Sequence, residues 1–489
     1  MQHSTRTHEK NEVGLFEALL PLTMLIISLV TTVAVYGDDT TGGPAQIALL
    51  CSGMLTAFIG LHKGHAWKSL EHAAVQAISN AMVPILILLM VGALIGVWIA
   101  SGVIPTIIYY GSMILAPSTF YLASLLLCSV ISIAVGSSWT TIGTIGIALI
   151  SIASAMDLSL EITAGAIVSG SYFGDKLSPL SDTTNLAAGL SETKLFTHIL
   201  FLLWTTIPAF LLALIFFAAA GISVADVAPT DKMDALRITL ANKFTISLFL
   251  CIPLVCLFLM AIRGTPPLLA IFLSICIAAL IGILLQPQSQ PSENIFDSAG
   301  EYFNVYWTAA ASGHEFKSPD NILDDLLSRG GMSTMLPTVW LIISAMFFSG
   351  MMERTGSTRR LLIALIAFCK KDGHLISSAG ATALAANVVA SDQYMSIVLT
   401  SRMYAEEFQR KGLDPANLSR VVEDNGTVTS ALVPWNTCGA FIAGTLGVGT
   451  LAYLPYCIFN IVSPIISHIY AAIGFRIVRI DADEVEKAS

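Results

Sequence analysis

The sequence predicts an all-α polytopic membrane protein made of two inverted repeats, each with a re-entrant hairpin and a broken helix. Three observations predict it. The 489 residues are 55% hydrophobic and 12% charged, with a mean hydropathy of +0.76, a composition suited to a bilayer rather than to water. Apolar runs of about 20 residues, the length that crosses a hydrocarbon core, recur along the chain. Polar, proline-containing segments interrupt such runs, and an unpaired backbone group there costs on the order of several kcal/mol unless protein or water covers it.

Spans are expected, in order, near 16–36, 45–61, 81–100, 195–219, 242–262, 267–285, 334–352 and 451–473. Apolar stretches between these are too short or too interrupted to read as simple spans. The first stretch is longer than a signal-peptide core, carries Glu12 and Glu17 at its start and lacks a small-residue cleavage site, so it is read as a retained helix. Arg6 and Lys10 precede it, Lys63 and Lys68 follow the second span, and the loop GDDTTGGP between has no basic residue. The positive-inside rule then puts the N-terminus in the cytoplasm. Arg476 and Arg479 put the C-terminus there too, with DADEVEKAS as a solvated tail.

Several function classes drop out. The net charge of −9 gives no basis for nucleic-acid binding. Cys51, Cys128, Cys251, Cys256, Cys276, Cys369, Cys438 and Cys457 lie singly in apolar surroundings, without a CxxC pair for zinc or disulfides. The GTIG run at 143–146 has no following lysine, so it is not a phosphate loop. His62, His65 and His72 are assigned to a solvated loop. Nothing points to an enzyme.

A shift of 254 positions places Gly96 on Gly350, Ser101 on Thr355, Gly102 on Gly356, Gly136 on Ala390 and Ser137 on Ser391. One further residue of offset matches Leu177 with Leu432, Pro179 with Pro434, Ala188 with Ala443 and Gly189 with Gly444. Matches at small residues and prolines, where backbone geometry is most demanding, indicate an internal duplication. Span 81–100 follows the basic 63–68 loop and runs outward, whereas span 334–352 precedes Arg354, Arg359 and Arg360 and runs inward. The halves are thus inverted, the arrangement of secondary transporters whose sites lie near the midplane. The expected organisation is N-terminal helices (1–80), a first repeat (81–220), linking helices with an extracytoplasmic loop (221–333), a second repeat (334–473) and a cytoplasmic tail (474–489).

In the second half, 361–369 is too short to cross and is flanked by basic residues, so it is expected to lie along the cytoplasmic surface. Stretch 375–400 has basic residues at both ends and reads as a re-entrant hairpin with its tip at Asn387–Asp392. By the duplication, Gly136, Ser137 and Ser138 form the matching tip. Each half adds an interrupted helix, GDKLSPLSDTTN at 174–185 and DNGTVTSALVPWNTCG at 424–439.

A hard cation such as Na+ takes oxygen ligands, and these breaks supply them. Asp182, Thr183, Thr184, Asn185, Ser391, Asp392, Asn436 and Thr437 offer carboxylate, hydroxyl and amide oxygens, and Pro179 and Pro434 free carbonyls by removing a helical donor. Asp175, Asp182 and Asp392 are the carboxylates on which a proton and Na+ could compete. Lys176 is read as a counter-ion for Asp175 or as its structural pair near an interface. Glu423 and Asp424 are read as caps, or as neutralising the basic loop, and rank second.

Four runs, GSSWTTIGTIGIALISIA (136–153), AGAIVSGSYFGDKLSPLSDTTNLA (164–187), SDQYMSIVL (391–399) and EDNGTVTSALVPWNTCGAF (423–441), resemble the NhaC family of Na+/H+ antiporters. The resemblance implies the ion transporter superfamily fold, with paired hairpins and an elevator-like transport domain, and exchange of Na+ for H+ by alternating access. It departs where the family often has Gly and Pro and this chain has Ser391 and Thr400; Ser138 is a third variable position. The alternative is Na+-coupled transport of a small organic anion or amino acid, including malate/lactate exchange.

The expected site comprises Ser137, Ser138, Asp175, Ser181, Asp182, Thr183, Asn185, Ser391, Asp392, Asn436 and Thr437, with Asp182, Thr183, Ser391 and Asp392 as the Na+ ligands. Expected partners are Na+, H+, the bilayer and a second copy of the chain in a homodimer, in a bacterial inner membrane; no cofactor is expected. Lys176 discriminates between the cargoes. At the midplane it would favour an organic carboxylate, and at an interface, bare cation exchange.

Overall fold

A computed structural model describes residues 13–36, 42–223, 230–286, 295–314, 327–328, 330–366 and 372–480. Arg6, Lys10, the loop at 37–41, the part of 361–369 beyond residue 366, much of the expected extracytoplasmic loop and the tail 481–489 lie outside the described residues. Those described are helical, apart from connecting turns and an isolated bridge between Leu413 and Arg479. Among the described residues, eight helices are long and apolar enough to cross a membrane, or up to ten if each of two bent pairs counts as one span.

Two of these spans, Pro117–Val135 and Ser138–Ala155, are corrections to the expected set. Their serines and threonines dilute the apolar signal, yet each hydroxyl can be returned to the helix's own backbone. Ser124 Oγ donates to Phe120 O at 2.8 Å and Ser129 Oγ to Leu125 O at 2.7 Å. The expected span 242–262 instead starts at Leu248, after a 94° bend from the helix ending at Lys243. The expected span 451–473 is split at Cys457 into Thr450–Tyr456 and Ile458–Ile473.

The duplication is written in the backbone. Left-handed residues pair as Gly102 with Gly356, Gly136 with Ser391, Asp157 with Gly412 and Glu192 with Gly447. Helix N-caps pair as Ser137 with Asp392, Ser159 with Asp414 and Ser181 with Asn436, each side chain accepting an N–H of the first turn. The offset changes from 254 to 255 between Gly356 and Ser391. Pairing Gly136 with Ala390 and Ser137 with Ser391 is therefore one residue out of register. Left-handed geometry costs an L-residue roughly 1–2 kcal/mol, so these coincidences report backbone design more directly than the sparse identities do.

The hairpins and broken helices pack into one body. Leu160–Leu177 lies along Pro117–Val135, and Leu195–Ile222 and Asp372–Val389 both pack on Ile458–Ile473. A Cβ on Gly174 would stand 2.5 Å from Ser129 O, so close approach of the first pair requires glycine there. A second group forms a wall: Pro44–His62 and Trp67–Asn80 pack on Leu336–Arg354, and Pro267–Leu285 and Ile295–Ser312 pack on Met82–Ala100. Ile295–Ser312 falls within the expected extracytoplasmic loop. Thr437–Leu446, just after the second break, touches both Met82–Ala100 and Leu336–Arg354.

Candidate functional site

Local sequence builds both hairpin tips. Gly136 turns left-handed, Ser137 caps the next helix through Thr140 N at 3.2 Å, and the chain reverses. In the second tip Ser391 takes the left-handed turn and Asp392 caps through Met395 N at 3.1 Å. The expected tip at Asn387–Asp392 thus narrows to Ala390–Asp392, between helices Asp372–Val389 and Gln393–Arg410.

The breaks follow from proline. Residues before Pro are pushed out of helical geometry, and Ser178 and Val433 are extended, with ψ of 129° and 115°. Carbonyls at and beside the breaks accept side-chain donors. Asn185 Nδ2 donates to Pro179 O at 2.9 Å, Thr184 Oγ1 to Lys176 O at 3.3 Å, and Asn460 Nδ2 to Val428 O at 2.8 Å.

Between the tips and the wall lies a cavity of about 510 Å³ lined by Ser137, Ser138, Asp175, Asp182, Asp392 and Tyr394, with Glu353 and Asn80 on the wall side. No Lys, Arg or His is among the described residues that line it. Asp175 Oδ2 accepts Ser138 N at 3.0 Å and Ser138 Oγ at 2.6 Å, while Oδ1 is buried without a partner. Asp182 Oδ2 accepts the Tyr394 hydroxyl at 2.5 Å, joining the first break to the second hairpin. Asp392 Oδ2 accepts Thr437 Oγ1 at 3.1 Å.

The other expected residues stand behind this cavity. Thr183 Oγ1 donates to Glu423 Oε1 at 3.3 Å and lies 3.0 Å from Ser181 Oγ. Ser391 is buried with its hydroxyl unpartnered and its carbonyl accepting Thr437 N at 2.9 Å. Asn436 caps Cys438 N at 3.0 Å and donates to Asn387 O at 3.1 Å. Asn185 is exposed. Asp182 and Asp392 therefore share a cavity, whereas Thr183 and Ser391 do not line it. Among the described residues no three His, Cys, Asp or Glu side chains gather to hold a metal.

Lys176 is not the counter-ion of Asp175. It is fully buried, pairs with Asp424 of the other half and donates to Ser463 Oγ at 3.1 Å. Asp424 also accepts Thr205 Oγ1 at 2.8 Å. Lys176 faces neither an interface nor the cavity, and its charge is matched. Glu423 and Asp424 are likewise not caps at a membrane entry. Both are fully buried, in a π-helical turn over Glu423–Thr427, a feature frequent at functional sites. Tyr394 and Glu423 are the site residues that sequence reading undervalued. The run of three polar residues, Glu423–Asn425, after two valines was the available signal.

Residues 170–475 match the Na+/H+ antiporter family. The chain is 36% identical over 461 residues to a malate-2H(+)/Na(+)-lactate antiporter of Bacillus subtilis, covering 94% of this chain and 95% of that protein. It is 32% identical to the Na(+)/H(+) antiporter NhaC of Alkalihalophilus pseudofirmus, covering 94% and 97%. To the arginine/ornithine antiporter ArcD of Halobacterium salinarum it is 34% identical, covering 97% and 95%.

Proposed function

The chain belongs to the Na+/H+ antiporter family, and from that premise we propose that it exchanges Na+ for H+ across a membrane by alternating access. The observation that carries this reading is the charge of the cavity. Asp175, Asp182 and Asp392 converge on it from both halves, and no basic side chain is among the described residues that line it. A carboxylate holds either a proton or a share of a Na+ ion, so occupancy by one excludes the other. An organic carboxylate would want a cation or free helix N-termini in that cavity; Lys176 is already committed to Asp424, and the helix N-termini that reach the cavity are capped by Ser137 and Asp392.

In this reading the two halves are inverted repeats, and the body of hairpins and broken helices moves against the wall, carrying the carboxylates between the two sides. Tyr394 positions Asp182, and Thr437 positions Asp392. The distribution of basic residues supports a cytoplasmic-membrane protein with both termini inside. The test is purified protein in proteoliposomes, following internal pH after a Na+ pulse. A pH change without organic solute is expected. A response only when malate, lactate or an amino acid is present would replace this reading with Na+-coupled metabolite transport.

A further inference from the structure

Behind the cavity, where the two broken helices cross, oxygens from both halves meet around a carboxylate that has no basic partner. Glu423 is fully buried; its Oε1 accepts Thr183 Oγ1 at 3.3 Å, and its Oε2 has no partner. Ser181 Oγ lies 3.0 Å from Thr183 Oγ1. One helical turn beyond Glu423, Thr427 is buried with its hydroxyl unpartnered. Neither Glu423 nor Thr427 lines the cavity.

The charges around Glu423 do not balance. Asp175 and Asp424 act on it as negative charges and Lys176 as a positive one. Lys176 is bound to Asp424. Arg420, one turn before Asp424, stacks on Phe201 at 4.4 Å and donates to Arg476 O at 3.3 Å, with no carboxylate partner. Glu423 itself is left without a basic partner among the described residues. A buried carboxylate without a partner is strongly unfavourable, so Glu423 takes up a monovalent cation, either a proton or a metal ion. The oxygens available are a carboxylate and three hydroxyls, each with a lone pair to offer, and hard oxygen donors suit a hard cation.

We propose that Ser181, Thr183, Glu423 and Thr427 form an enclosed Na+ site, separate from the cavity carboxylates and built from both halves. It rests on the Na+ exchange reading only for the identity of the ion. A Na+ ion there ties the first helix break to the π-helical turn of the second half and supplies the missing charge.

The test is 22Na+ binding to the full-length purified protein by equilibrium dialysis, with Na+-dependent thermal stabilisation as a second readout. The cavity is first disabled with the double variant D182N/D392N and, in a parallel preparation, with D175N/D182N/D392N, each of which is expected to bind one Na+ per chain and to melt higher in Na+ than in choline. Adding Thr427→Val, an isosteric loss of one ligand, should weaken that binding about tenfold, and Glu423→Gln should remove it. If Glu423→Gln fails to fold, Thr427→Val decides. No binding by either cavity variant, or unaltered binding after Thr427→Val, overturns the site. Absence of Na+-driven pH change in wild-type vesicles, with Na+ still bound by D182N/D392N, would sink the exchange reading and leave this site standing.

Discussion

The same joint occurs twice in this molecule with different chemistry. In the first half the hairpin tip docks on the broken helix through Ser138 and Asp175, at 2.6 Å. In the second half, residues 255 positions later make the corresponding contact: Ser430 Oγ donates to Gln393 Oε1 at 3.4 Å. Backbone roles at the tips match closely, Gly136 with Ser391 and Ser137 with Asp392. Charge does not. The first joint holds a carboxylate with a buried, unpartnered oxygen, and the second is neutral. The acids of the second half have moved to its tip, at Asp392, and two turns upstream, at Glu423 and Asp424. The two halves thus share the positions that shape the chain and differ in where their carboxylates stand, which gives one compound cavity rather than two equivalent ones.

The largest test of this asymmetry is functional. Asp182→Asn and Asp392→Asn should each abolish the Na+-driven pH change in vesicles while the protein still inserts and purifies. Ser430→Ala, at the neutral joint, should retain most of it. Equal losses in all three would break the distinction between the cavity carboxylates and the neutral joint.

Next in size is the buried pair that crosses between the halves. Lys176→Met strands the Asp424 carboxylate, and breaking a buried pair this way costs about 3–5 kcal/mol. A large fall in the melting temperature of the detergent-purified variant is expected. The matched variant Lys176→Met/Asp424→Leu should recover much of it, because no lone charge remains. No recovery would mean that Asp424 has a role beyond pairing.

Smaller effects probe the shared backbone. At Gly136 the left-handed φ of 72° and a Cβ position 2.6 Å from the Leu180 Cβ make Gly136→Ser destabilising by more than about 1 kcal/mol. Ser391→Gly, relieving a φ of 57°, should stabilise by about 0.5–1 kcal/mol. Opposite signs in thermal melts would show that the tips share geometry and differ only in strain. Smallest, Ser159→Ala and Asp414→Ala remove paired N-caps and should each cost about 1 kcal/mol. Widely unequal losses would weaken the equivalence of the halves.

What could be read from sequence followed the bilayer. Apolar length located most spans, and charge in a polar break singled out Asp175, Asp182 and Asp392, all of which line the cavity. The spans at 117–135 and 138–155 stayed hidden because hydropathy counts a serine as polar, whereas Ser124 and Ser129 turn their hydroxyls onto their own helix. Register slipped by one residue because identities cannot locate a single insertion between Gly356 and Ser391. Lys176 and Glu423 were misjudged for a common reason. Adjacent residues on a helix point in different directions, so Asp175 faces Ser138 while its neighbour Lys176 reaches a partner 248 positions away.

That separation also sets a problem for biosynthesis. Lys176 leaves the ribosome long before Asp424, and at roughly 5–20 residues per second the 248 intervening residues take on the order of ten to fifty seconds to make. Throughout that interval the nascent first half holds an ammonium group destined for a dry interior, with nothing to neutralise it. It must stay hydrated at the insertion machinery or at the membrane edge until the second half arrives.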